Sequence, residues 1–347
     1  MTSLDERFER RLPLTHSLVR TLGLLHEYRG KEELYRQQMP QALETLKQVA
    51  IIQSTESSNR IEGVTAPAQR IRELVANKTT PRDRSEQEIA GYRDVLNTIH
   101  GNHAAMKLTA GLVKQLHHDL FKYTGQRGGE WKAVANRISQ VRADGTEVVR
   151  FEPVAPHLVD EAMELLHRQM HSLWRADEVD RLLLIPAYVL DFLCIHPFRD
   201  GNGRMARLLT LLLLYHAGYE VGRFISLEKI VEESKETYYD TLSQYSQGWH
   251  TGRHPLTPWT EYLLGTLIAA YREFEGRVGA VAGGRGAKTE LVLSAIGSFH
   301  GEFTVGQIQE QCPTVGIDLI RRILREQKQA GKLECLGRGP AASWRRK

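Results

Sequence analysis

Between residues 196 and 207 the chain reads HPFRDGNGRMAR, with strongly apolar sequence on both sides. An imidazole, a carboxylate, an amide, two glycines and several guanidiniums stand within twelve residues. Gly201, Asn202 and Gly203 interrupt the apolar pattern and predict a loop opening a helix near Gly203. The first turn of a helix offers unpaired N–H groups and a partial positive charge, and glycines let a ligand approach the backbone, so this geometry suits phosphate. Arg204 and Arg207, three apart on that helix, point to one side and can clamp further phosphate oxygens. Asp200, just before the loop, suits Mg²⁺, which takes one or two carboxylates together with phosphate and water. His196 stands at the mouth as a general base whose ordinary pKa lies close to cell pH. Any one of these residues is ordinary in a turn. Base, metal ligand, anion loop and arginine clamp together describe a site that handles a phosphate-containing group. It is not a P-loop, which needs G-x-x-x-x-G-K-[ST].

The elements that must hold this stretch read as a mainly α chain. A helix is expected over residues 31–62, ending at SSNRIEG with Gly63 as its C-cap. A short helix and a loop follow over 64–82, then amphipathic helices at Ser85–His100 and Leu108–Tyr123. Residues 136–151 alternate apolar and polar positions around Asp144–Gly145, which predicts a small β-hairpin. Helical pattern resumes at Leu158–Trp174, Arg181–Ile195 and Gly203–His216, and a last helix of this part ends near Val278. A glycine-rich linker is expected at 279–287. Beyond it, helices at Lys288–Phe299, Thr304–Gln311 and Ile317–Ala330 precede two short strands around a Gly-Pro loop. That order suggests a winged helix-turn-helix with Phe303, Ile308, Ile320, Ile323 and Leu324 in its core. The division is therefore an N-terminal helical region (1–84), a helical bundle (85–278), the linker (279–287) and a small domain (288–347).

The chain has 347 residues, 41% hydrophobic and 25% charged, and its formal charge of +4 is too thinly spread to demand nucleic acid. Three scattered cysteines make neither a disulfide framework nor a zinc site with close cysteine pairs, which points to a reducing compartment. The opening residues lack an apolar signal core, and no run reaches the ~20 apolar residues of a membrane span, so a cytoplasmic location is expected. Arg321, Arg322, Arg325, Lys328, Arg345, Arg346 and Lys347 gather near the end, diluted by Asp318 and Glu326. A protein-binding or dimerisation module is the preferred reading of this tail, with DNA contact the alternative.

The stretch IHPFRDGNGRMAR resembles the signature of the Fic domain, H-P-F-x-[DE]-G-N-G-R-x-x-R, at every position. The likeness extends over roughly Leu43–Leu264. It implies a Fic-type helical bundle and, as for most members, an adenylyltransferase that moves AMP from ATP to a Ser, Thr or Tyr hydroxyl of target proteins and of itself. On this sequence it makes His196 the base and Asp200 the Mg²⁺ ligand. It gives Asn202 and Gly203 to the anion hole, and Arg204 and Arg207 to the β- and γ-phosphates. Tyr238 and Tyr239 of ETYYDTL would flank adenine, and the hairpin at 136–151 matches the flap that registers a target segment as an added strand. Ser58, Glu62 and Gly63 fit [ST]-x-x-x-E-[GN], the mark of an inhibitory helix, so Glu62 is expected to pair with Arg207 in place of the γ-phosphate. In some relatives the same glutamate supports removal of AMP. Two alternatives stay open: a DNA-binding regulator whose Fic-like domain senses nucleotide, and a transferase using another nucleotide donor. An intact His196 favours an enzyme, since a sensor needs no base.

Overall fold

The computed structural model describes all residues except 1, 39, 142–146, 283–286, 298, 300, 313–314, 338–341 and 347. The expected Asp144–Gly145 turn, the centre of the glycine-rich linker and most of the Gly-Pro loop lie outside the described residues.

The chain opens with helices α1 (Phe8–Arg11), α2 (His16–Gln38), α3 (Pro40–Ile61), α4 (Ala68–Val75), α5 (Arg84–Asn102) and α6 (Ala110–Leu120). The helix expected over 31–62 is helical on both sides of residue 39, which lies outside the described residues. Strands β1 (Ile138–Val141) and β2 (Glu147–Phe151) pair antiparallel, Ser139 opposite Val149, with an irregularity between Ile138 and Ser139. Then come α7 (Val159–Ala176), α8 (Arg181–Ile195), α9 (Asn202–His216), α10 (Leu227–Glu233), α11 (Lys235–Tyr245) and α12 (Thr257–Ala282). Helical backbone continues through Gly279–Ala282, where a linker was expected. A single glycine costs a long helix only ~1 kcal/mol.

α8 is the centre of the bundle. Every residue from Leu182 to Ile195 is buried, as befits a helix apolar on all sides. The indole N–H of Trp259 on α12 donates to the carbonyl of Pro186 inside α8, at 2.8 Å. α9 packs along α8, so the loop joining them is anchored at both ends by the main core.

The last part holds α13 (Ala287–Gly297), β3 (Phe303–Thr304), α14 (Val305–Gln311), α15 (Ile317–Gln329), β4 (Leu333–Leu336) and β5 (Ser343–Arg346), with sheet order β3-β5-β4. Phe303, Ile308, Ile320, Ile323 and Leu324 are buried in a core of their own. Strand β3 was not expected, since two residues carry no readable periodicity. Among the described residues no helix is long and apolar enough to cross a membrane.

Candidate active site

His196 ends α8 in the left-handed conformation, φ 50°, with its N–H on the Phe192 carbonyl at 2.9 Å. Such a backbone costs a non-glycine residue about 1–2 kcal/mol, so the surroundings must hold it. The ring Nδ1 lies 3.3 Å from the Leu193 carbonyl. A carbonyl only accepts, so Nδ1 carries the hydrogen and Nε2 is left as the basic nitrogen. Burial pushes the imidazole pKa down to about 4, which keeps it neutral at cell pH.

The following loop is pinned from several sides. Asn202 accepts from the Phe198 N–H at 2.9 Å and donates to the Phe198 carbonyl at 2.8 Å. Its side chain therefore staples the loop, and what it can offer an anion is backbone. The Lys132 N–H donates to the Pro197 carbonyl at 2.8 Å, its ammonium to the Ile195 carbonyl at 3.2 Å, and Asn136 to the Phe198 carbonyl at 3.1 Å. Burial pushes the Lys132 pKa down to about 8. The buried Phe198 ring stacks on His117, centroids 3.6 Å apart. The Gly129 N–H donates to His117 Nδ1 at 2.9 Å, which leaves Nε2–H to donate to the Asp200 carbonyl at 3.0 Å. Sequence reasoning missed His117, Lys132 and Asn136. They sit on an amphipathic helix and in a loop where nothing in the pattern distinguishes them.

At the start of α9 the structure places a carboxylate. A Cβ built on Gly203 would fall 2.2 Å from Glu62 Oε1, so only glycine leaves room for it there. The same oxygen lies 2.8 Å from Arg207 Nη2. Arg207 is buried, and its Nε donates to Ser58 Oγ and its Nη2 to the Ser58 carbonyl, both at 2.8 Å. The pairing with Glu62 runs through one carboxylate oxygen rather than two. Arg207 Nη1 is buried without a partner among the described residues.

Glu62 is held by the way α3 ends. Gly63 has φ 79°, the Val64 N–H reaches back to the Asn59 carbonyl and the Gly63 N–H to the Arg60 carbonyl, each at 3.0 Å. This is the Schellman ending, and it sets Glu62 at the last corner of the helix.

The structure does not bring all the expected residues together. Arg204, expected beside Arg207 on phosphate, is buried and turned to Glu88 on α5 at 2.6 Å, with the Phe121 ring 5.2 Å away. Three residues apart on α9, Arg204 turns its guanidinium to Glu88 on α5 and Asn59 on α3, while Arg207 turns to Ser58 and Glu62 at the end of α3. Asp200 is half-exposed, accepts the Gly201 N–H at 2.6 Å and lies 3.9 Å from both Arg84 and Arg204. No group of three or more His, Cys, Asp or Glu suited to a metal occurs among the described residues. One accessible carboxylate fits Mg²⁺ that takes its other ligands from phosphates and water.

His196, Gly203, Arg207 and Glu62 line a cavity of about 1260 Å³, with Lys235, Tyr238 and Tyr239 on its wall and Arg137, Ile138, Ser139, Arg150 and Phe151 of the hairpin at its edge. Asp200, Asn202 and Arg204 do not line it. Tyr238 is buried in an aromatic cluster with Trp259 and Tyr262, while Tyr239 is half-buried and meets Tyr238 edge-on at 5.2 Å. Burial pushes the Tyr239 hydroxyl up to about 12. The hairpin is moored by Gln247, which donates to the Arg150 carbonyl at 3.1 Å, and by the stack of Phe151 on His250 at 5.3 Å.

Residues 107–214, which contain the whole loop, match the model of the Fic/DOC family. The chain carries a Fic/DOC family domain. The chain is similar to a protein from Caenorhabditis briggsae named protein adenylyltransferase fic-1, 26% identical over 54% of this chain and 35% of that protein. A Nematostella vectensis protein named protein adenylyltransferase Fic is 26% identical over 57% of this chain and 44% of its own length. The chain thus spans less than half the length of either of these curated relatives. A Fic family protein of Desulfovibrio desulfuricans G20, solved as a crystal structure, shares the fold over 97% of this chain and 98% of its own, with TM-score 0.63 and 19% identity. The Fic match ends at residue 214. Glu62 and Ser58 on α3, Tyr238 and Tyr239 on α11, and everything from α13 onward lie outside it.

Proposed function

We propose that this Fic protein is an adenylyltransferase that moves AMP from ATP to a protein hydroxyl and is held back by its own Glu62. The observation that carries the reading is the Glu62 carboxylate, seated on the first turn of α9 against Gly203 and Arg207, in one cavity with a neutral imidazole. A site that retains an anion on a helix N-terminus and a buried guanidinium is built for the terminal phosphate of a nucleotide.

In the proposed reaction Nε2 of His196 takes the proton of a Ser, Thr or Tyr hydroxyl as its oxygen attacks the α-phosphorus. The new O–P bond forms as the bond to pyrophosphate breaks, and pyrophosphate leaves. Backbone N–H groups at the start of α9 and Arg207 orient the leaving phosphates once Glu62 has withdrawn. Asp200 would hold Mg²⁺, which when bound neutralises phosphate charge. Arg204 is fixed by Glu88 through Nη1, and its Nη2, 3.9 Å from Asp200, would be the nitrogen that reaches phosphate. Tyr238 and Tyr239 would flank the base by their ring faces, and β1–β2 would hold an extended target segment beside His196.

A second reading, transfer from another nucleotide, draws on the same wall: aromatic faces pack any base. The test is Glu62→Gly incubated with Mg²⁺ and each of ATP, GTP, CTP and UTP, with the adduct weighed by intact mass. An AMP adduct formed from ATP in preference to the others is expected. A different adduct would replace the donor, and no adduct with any nucleotide would end the transferase reading.

A further inference from the structure

The Schellman ending of α3 uses the carbonyls of Asn59 and Arg60 and leaves that of Ile61, the residue before Glu62. This carbonyl has a partner from another helix. Lys235, the first residue of α11, donates its ammonium to Ile61 O at 2.7 Å, with the Tyr239 ring 5.9 Å away. A cation at a helix C-terminus also meets the negative end of the helix dipole. No carboxylate lies within ion-pair distance of this ammonium among the described residues. Lys235 lines the same cavity as Glu62 and Arg207.

We propose that Lys235 is the positioning residue that holds the end of α3, and with it Glu62, in the inhibitory place. This rests on the reading of Glu62 as a brake. Other ties hold α3 further from Glu62, and Arg207 holds Ser58 at the start of its last turn. Ser54 bonds Ser226 and Glu228 two turns earlier, and Arg60 pairs with Glu232 on the exposed side at 3.0 Å. Among the described residues Lys235 is the side chain that holds the Ile61 carbonyl, the main-chain group next to Glu62. Its removal frees the turn that carries Glu62 while the body of the helix stays docked.

The full chain is compared with Lys235→Met, which keeps the stem and loses the donor, with Lys235→Arg, which keeps a donor, and with Glu62→Gly in the presence and absence of Lys235→Met. Two readouts are taken: labelling from α-labelled ATP with Mg²⁺, and hydrogen exchange of the amides at 62–64 without nucleotide. Lys235→Met is expected to raise labelling several-fold and to speed exchange at 62–64 about tenfold, the scale of one lost charge-assisted hydrogen bond. Lys235→Arg restores both towards wild type, and Lys235→Met adds nothing to Glu62→Gly. Unchanged exchange in Lys235→Met overturns the proposal. So does an equal loss of labelling in both backgrounds, which would make Lys235 a nucleotide ligand. If Glu62→Gly itself labels nothing, the transferase reading falls, and exchange alone decides whether Lys235 holds the helix end.

Discussion

In the proposed function, Gly203 is where brake and substrate meet. A methyl group there would stand 2.2 Å from Glu62 Oε1, and would crowd a phosphate as surely as it crowds the carboxylate. Gly203→Ala is therefore expected to lose Glu62 from its seat without gaining activity. Labelling should stay more than about tenfold below Glu62→Gly, and remain low in the double variant. Labelling by Gly203→Ala equal to that of Glu62→Gly would show that no phosphate is bound there. His196 makes a pH prediction. Its pKa is held near 4 by burial, and Glu62 is among the groups that raise it, so Glu62→Gly moves it no higher. The neutral base persists far into the acid range, and the acid limb of kcat/KM for Glu62→Gly should lie below about pH 5. A limb centred near 6.5, the ordinary value for histidine, would mean that the base is solvated or is another residue. The chemistry of 196–207 was legible because the loop packs its functional groups into one contiguous run. His117 and Lys132 were not, because their roles exist only once α6 and the 131–136 segment fold against that run.

In the proposed function, the ending of α3 is the element that turns a glutamate into an inhibitor. Gly63 sits at φ 79° with open space around it, so Gly63→Ala meets no neighbour and acts through the backbone alone. It should cost the Schellman ending about 1 kcal/mol and raise basal labelling a few-fold. Unchanged labelling would argue that Glu62 does not depend on this corner. The end of α3 was readable because Asn-Arg-Ile-Glu-Gly places a glycine after the last apolar position. The hairpin was readable from alternation, whereas its mooring to Gln247 and His250 joins segments about a hundred residues apart. The same distance effect hid the partners of the two arginines. Spacing put Arg204 and Arg207 on one side of α9, but Glu88 on α5 takes the first and Glu62 at the end of α3 the second.

Over the whole molecule, residues 288–347 hold ten Lys or Arg against six Asp or Glu, and so account for the entire formal excess of +4. The remainder of the chain is neutral, so the proposed hold on polyphosphate would rest on local geometry. Burial sets how stability responds to acid. It keeps His117, His167, His196 and His254 near pKa 4 and His100 near 3, while it raises Glu32 to about 7 and Asp191 to about 6. Between about pH 6.5 and 4.5 the unfolded chain gains protons on all five histidines, and the folded chain gains them only on the two carboxyls. The unfolded state takes up roughly three more, so stability falls as pH falls through this window. A melting temperature that drops steadily from pH 6.5 to 4.5 is expected, and a rise would show that the histidines are not buried neutral. The central claim is that the molecule carries its own brake on a working site. Initial rates of labelling from α-labelled ATP with Mg²⁺ test it most directly, measured for wild type, Glu62→Gly and Glu62→Gly/His196→Ala. Weak labelling by wild type, at least about tenfold more by Glu62→Gly and none by the double variant is the predicted result. Equal labelling by wild type and Glu62→Gly, or labelling that survives the loss of His196, would contradict it.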